Sequence, residues 1–75
     1  MRIHVTACMA LCERANGLPA GSLRIPSQAR EIAWPRQAAM LLARESGNTI
    51  SHIARVMDMD HTTVIHGCAV AKSRR

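Results

Sequence analysis

Residues 48–72, NTISHIARVMDMDHTTVIHGCAVAK, carry the pattern from which the architecture follows. Asn48 or Thr49 suits an N-cap, the following residues read as a short helix, and a tight turn falls over Asp58 and Met59. A second helix then begins at about Asp60 or His61. This spacing predicts a helix-turn-helix over about 49–72. In that motif an apolar residue followed by Ala lets two helices pack closely, a turn residue accepts the left-handed region, and an apolar residue beyond the turn plugs the gap. Ile53, Ala54, Met57, Met59 and Val64 fill the apolar places in order. At the turn Asp58 stands where Gly is usual, and Asp enters left-handed backbone more easily than most residues.

On the second helix Val64, Cys68 and Ala71 recur at i, i+4 and i+7, so they should face inward, with Gly67 permitting close approach. Thr62, His66 and Ser73 then face out. Asp60, His61 and Thr63 crowd the N-terminal end, the end that enters the major groove when such a helix docks on DNA. A base edge there offers donors, acceptors and the thymine methyl. Asp60 can accept from an amino group, His61 can donate to a purine N7 or a carbonyl oxygen, and Thr62 and Thr63 supply methyls and hydroxyls. The plain structural reading makes Asp60 an N-cap and the threonines an ordinary first turn. His61 and His66 are five apart on different faces with no convergent carboxylate, which does not fit zinc-ligand spacing.

Upstream, IHVTACMALCERA (3–15) carries Val5, Cys8, Leu11, Cys12 and Ala15 as one stripe of a 3.6-residue repeat, a first helix. NGLPAGS (16–22) stops it through Asn16, Gly17 and Pro19. Leu18 and Leu23 should pin this connector, or a single helical turn, to the core. RIPSQAREIAW, about 24–34, reads as an irregular basic loop. The next helix is expected to start with Pro35 at its first position and to end at Gly47. Ala38, Leu41 and Leu42 should face its core side, with Arg36 and Arg44 projecting elsewhere. The expectation is an all-α bundle, one domain over 1–75.

Composition agrees with that class. Seventy-five residues bury only roughly 60% of their unfolded surface. The chain is 48% hydrophobic but 1% aromatic, so Ala, Leu, Ile, Val and five Met must build the core. A net charge of +5 and a pI near 10.5 point to a polyanion, nucleic acid ahead of an anionic membrane surface, with simple solubility as the bland alternative. Cys8, Cys12 and Cys68 form no C-x-x-C pair, and read as reduced, core-packing residues. No secretory or membrane-spanning stretch is evident, so a cytoplasmic, nucleoid-associated location is expected.

DHTTVIHGC (60–68) resembles the signature helix of the C-terminal DNA-binding domain, domain IV, of the bacterial replication initiator DnaA, D-H-T-T-V-L-H-A-C. PRQAAMLLARE (35–45) is similar to that family's P-R-Q-x-A-M-x-L-A-[KR]-E helix, and the likeness covers most of residues 5–71. It implies a Trp-repressor-like helical fold that binds double-stranded DnaA boxes. It also implies base reading by Asp60, His61, Thr62 and Thr63, and backbone contacts from Arg36, Gln37, Arg44, Ile50, Ser51 and His66. The family's minor-groove Arg aligns with Gln28, which leaves two alternatives: Arg24 or Arg30 substitutes, or affinity is lower. Met59 and Trp34 also stand where Arg is common. Each lost phosphate contact should flatten the salt dependence by about one unit, giving a weaker or altered site preference.

No G-x-x-x-x-G-K-[ST] loop occurs, so ATP binding and hydrolysis are not expected. No nucleophile has a base and an orienting group beside it, so neither catalysis nor a cofactor is expected. The leading expectation is therefore a duplex-DNA module regulating replication initiation or transcription. The alternatives are an interaction protein acting on the initiator or its regulators, and a metal or redox protein.

Overall fold

In the computed structural model, residues 3–27 and 29–74 are described. They form α1 (Val5–Ala15), a single 3-10 turn (Ser22–Arg24), α2 (Arg30–Glu45), α3 (Ile50–Met57) and α4 (His61–Ser73), with no strand among the described residues. The fold is all-α. Packing centres on α2, which takes α4 on one side and α1 on another, while α3 bridges α1, α2 and α4.

The buried residues of α1 are Val5, Cys8, Met9 and Glu13, with Cys12 half-buried beside them. The arc is thus rotated from the predicted stripe: Leu11 is 49% exposed and Ala15 is also exposed, whereas Met9 is inside. Glu13 is buried because the 3-10 turn folds over it. Its Oε2 accepts the Leu23 N–H at 3.1 Å, which fixes Leu23 in the core at 1% exposure. The left-handed Gly21 (φ 89°) turns the chain into that position.

The expected start of α2 needs correcting. The helix opens at Arg30, so the irregular loop ends at Ala29 and Pro35 lies at the sixth helical position. Proline there removes one i to i−4 bond, the one Glu31 C=O would have accepted. The extension is supported by Glu31 in the first turn, favourable with the helix dipole, and by Ile32, which packs on the core. Ala38, expected inside, is exposed; Pro35, Ala39, Met40, Leu41 and Ala43 are the buried apolar residues.

The turn from α2 to α3 is tied down by Asn48, 1% exposed, whose Nδ2 donates to Ala43 O (2.9 Å) and Ile3 O (2.8 Å). Thr49 is the N-cap of α3 and accepts the His52 N–H at 3.1 Å. Asp58 takes the left-handed conformation (φ 56°, ψ 52°), and Met59 N–H closes onto Ala54 O at 2.8 Å. Ile53, Ala54, Met57 and Val64 are buried, with Met59 packed against them. These contacts set the angle between α3 and α4. A Cβ on Gly67 would lie 2.4 Å from Met40 Sδ, so α4 approaches α2 more closely than a side chain would allow without movement of Met40.

Candidate nucleic-acid interface

The N-terminal end of α4 carries an exposed run of polar side chains on the helix-turn-helix. Asp60, His61, Thr62 and Thr63 are all exposed, whereas Val64 immediately after them is fully buried. Burial of Val64 sets the rotation of α4 and so leaves its first turn outside. At 13 residues α4 is roughly 20 Å long, enough to span a major groove about 12 Å wide.

Within the cluster the side chains constrain one another. Asp60 Oδ1 accepts both the Thr62 N–H (3.0 Å) and the Thr62 hydroxyl (2.9 Å). Asp60 is therefore an N-cap, and these two bonds, the backbone one first, hold its carboxyl below the usual carboxylate range. Among the described residues Oδ2 makes no hydrogen bond, so it remains available as an acceptor. Because the Thr62 hydroxyl proton points at Asp60, Thr62 presents a methyl and oxygen lone pairs outward. Ser51 Oγ lies 3.0 Å from His61 Nε2, which links the first turn of α3 to the first turn of α4. A ring held at Nε2 keeps Nδ1 for another partner.

Next to this end lies a cleft of about 230 Å³ between α2 and α4, lined by Gln37, Thr63 and His66 together with Ala33, Arg36, Met40, Met59 and Gly67. His66 is exposed at its rim. Ile50 is half-buried and Ser51 exposed at the start of α3.

The arginines are more occupied than their sequence positions imply. Arg36 does not project outward as expected. It is 6% exposed and donates to three carbonyls of the preceding loop: Nε to Leu23 O (3.1 Å), Nη1 to Ser27 O (3.1 Å) and Nη2 to Ile25 O. Burial lowers its pKa. The loop folds back over α2 and covers the face that periodicity alone would leave wet.

Arg24 and Arg44 are exposed. Arg24 Nη1 donates to Val56 O (3.1 Å), serving a carbonyl at the C-terminal end of α3. Arg44 Nη1 donates to Asn48 O (3.1 Å). Arg30 is exposed and stacks on Trp34, with its Cζ 4.7 Å from the ring centroid. Gln28 lies outside the described residues.

Two features escaped the sequence reading. Arg74 also stacks on Trp34, at 4.1 Å, and its Nη2 donates to Gln37 Oε1. The i, i+4 spacing of Arg30 and Trp34 was a readable signal; the arrival of Arg74 from α4 was not. Among the described residues no group of three His, Cys, Asp or Glu side chains could hold a metal ion, and no helix is long and apolar enough to cross a membrane. Cys8 is buried, Cys12 and Cys68 are half-buried, and all three are free thiols.

Residues 6–70 match the family described as the bacterial DnaA protein helix-turn-helix. The chain belongs to this family. It is similar to the chromosomal replication initiator protein DnaA of Chloroflexus aggregans, 33% identical over 69 residues, which is 89% of this chain and 14% of that protein. The DnaA of Lachnoclostridium phytofermentans is 43% identical over 44 residues, 56% of this chain and 10% of that protein. The chain thus spans about one-seventh or less of the curated relatives it matches. No solved structure matches it. Within the DnaA family the matched region is a DNA-binding helix-turn-helix, and the cluster at residues 60–63 stands at the head of its second helix.

Proposed function

We propose that this domain binds double-stranded DNA sequence-specifically at DnaA-box-like sites, and so regulates replication initiation or transcription without any nucleotide chemistry of its own. α4 enters the major groove by its N-terminal end. Asp60 Oδ2 accepts from a cytosine or adenine amino group, His61 donates from Nδ1 to a purine or thymine acceptor, and the Thr62 and Thr63 methyls pack on thymine. Gln37, Ile50, Ser51 and His66 flank the groove and meet the backbone, with Arg24, Arg30 and Arg44 supplying the charge that holds register. Arg36 acts differently from the other arginines, by organising the loop that carries Arg24.

The observation that supports this reading is the simultaneous exposure of Asp60, His61, Thr62 and Thr63 on a helix whose rotation is fixed by buried Val64. The Ser51–His61 bond presets the imidazole before DNA arrives. Mobility shifts with a DnaA-box duplex and a scrambled duplex, repeated over a range of salt, test it. His61→Ala and Thr62→Ala should each reduce the box preference about tenfold, the discrimination carried by roughly 1.4 kcal/mol of base contact, while general binding persists. An interaction protein acting on the initiator or its regulators would show no box preference in the wild type.

A further inference from the structure

Trp34, the chain's single aromatic residue, is 46% exposed and outside the core. The guanidinium groups of Arg30, one turn earlier on α2, and of Arg74, at the end of α4, both sit over its ring, at 4.7 and 4.1 Å from the centroid. The two cations are therefore no farther apart than those two distances added together. Arg74 also bonds to Gln37, which lines the same cleft as Thr63 and His66. A continuous row thus runs from the base-reading end of α4 through Gln37, Arg74 and Trp34 to Arg30.

Internal packing accounts for only part of this. A guanidinium stacked on an indole keeps its in-plane N–H groups directed outward, and Arg30 has no side-chain hydrogen bond among the described residues. Arg30 is also the first residue of α2, at the positive end of the helix dipole, where a cation is disfavoured and, in the first turn, only the adjacent Glu31 offsets it. Two cations gathered on one indole concentrate positive charge, which a polyanion complements. The indole meanwhile fixes both side chains, so less freedom is lost on binding.

We infer that Arg74, held on Trp34 beside Arg30, extends the backbone contact already given to Arg30 into an auxiliary site for the phosphodiester backbone of duplex DNA, beside the helix-turn-helix. Arg74 lies beyond residues 6–70, the stretch that matches the DnaA family. The site adds backbone charge, and it raises affinity without adding sequence preference. This inference rests on the DNA-binding reading.

The test is fluorescence anisotropy of a labelled duplex against the full 75-residue chain at stepped salt, with circular dichroism as the check on folding. Arg74→Ala should lower the slope of log affinity against log salt by about 0.9, and Arg30→Ala with Arg74→Ala by about 1.8. The ratio of box to scrambled binding should stay constant. In the wild type, Trp34 emission should change saturably with duplex, at the midpoint given by anisotropy. An unchanged slope in both variants, or Trp34 emission indifferent to DNA, overturns the inference. A lower Tm with an unchanged slope also overturns it, and makes the stack a clamp on the end of α4. A wild type that binds no duplex refutes the parent reading instead.

Discussion

Replacing Arg36 by Met separates two roles that one residue could hold. The substitution keeps a buried stem of similar length but removes every donor to Leu23 O, Ile25 O and Ser27 O. A hydrogen bond from a charged donor contributes about 1.5–3 kcal/mol. Only the Leu23 bond is fully buried, and removing the charge also relieves its desolvation. The net loss should therefore be about 2 kcal/mol, well below the gross value of three such bonds. For a domain of this size, each kcal/mol moves Tm by about 4–8 °C, so Arg36→Met should melt about 8–16 °C lower. Total stability of a chain this long is roughly 4–11 kcal/mol, so the variant should still fold at room temperature. Thermal denaturation followed at 222 nm measures the shift, and amide exchange should show faster opening in residues 23–27. A Tm within about 3 °C of wild type, with a salt slope lowered by about 0.9, would refute the reasoning and return Arg36 to the phosphates.

Asp60 gives a pH prediction with a definite sign. Its folded pKa is depressed, so its capping contribution is present above the unfolded value of about 3.9 and is lost as pH falls through the folded pKa. The Thr62 amide shift, titrated by NMR, should report a midpoint below that value, and Asp60→Asn should abolish the titration. Asp58→Gly should raise Tm by about 2–4 °C, because glycine adopts the left-handed turn without the roughly 0.5 kcal/mol strain left on Asp. Cys8, Cys12 and Cys68 have thiol pKa values raised by burial, so a thiol reagent at pH 8 should modify the folded protein at least about tenfold more slowly than the protein in urea.

The helix-turn-helix was legible because its determinants are local. Thr49, Ile53, Ala54, Asp58 and Val64 lie within 16 consecutive residues, and each is placed by cap, turn or heptad-scale spacing. The family likeness was legible for the same reason, since residues 60–68 form one contiguous block. What the sequence hid was non-local. Periodicity counts Arg36 as solvent-facing, yet Arg36, like Glu13 on α1, is buried by the segment 21–27 folding over α2 and α1. Pro35 reads from sequence as a first-turn residue, whereas α2 begins at Arg30 and tolerates one missing bond in exchange for the packing of Ile32. On α1, the 3.6-residue spacing places Leu11 in the core, but the buried arc is turned toward Met9 and Glu13.

The most direct measurement is an unbiased selection of duplex sequences by the wild-type chain and by His61→Ala, sequenced after several rounds. A DnaA-box-like motif should emerge with the wild type, and the variant should lose preference at one or two positions while keeping the remainder. Absence of any enriched motif, or an identical motif from both proteins, would contradict base reading by residues 60–63.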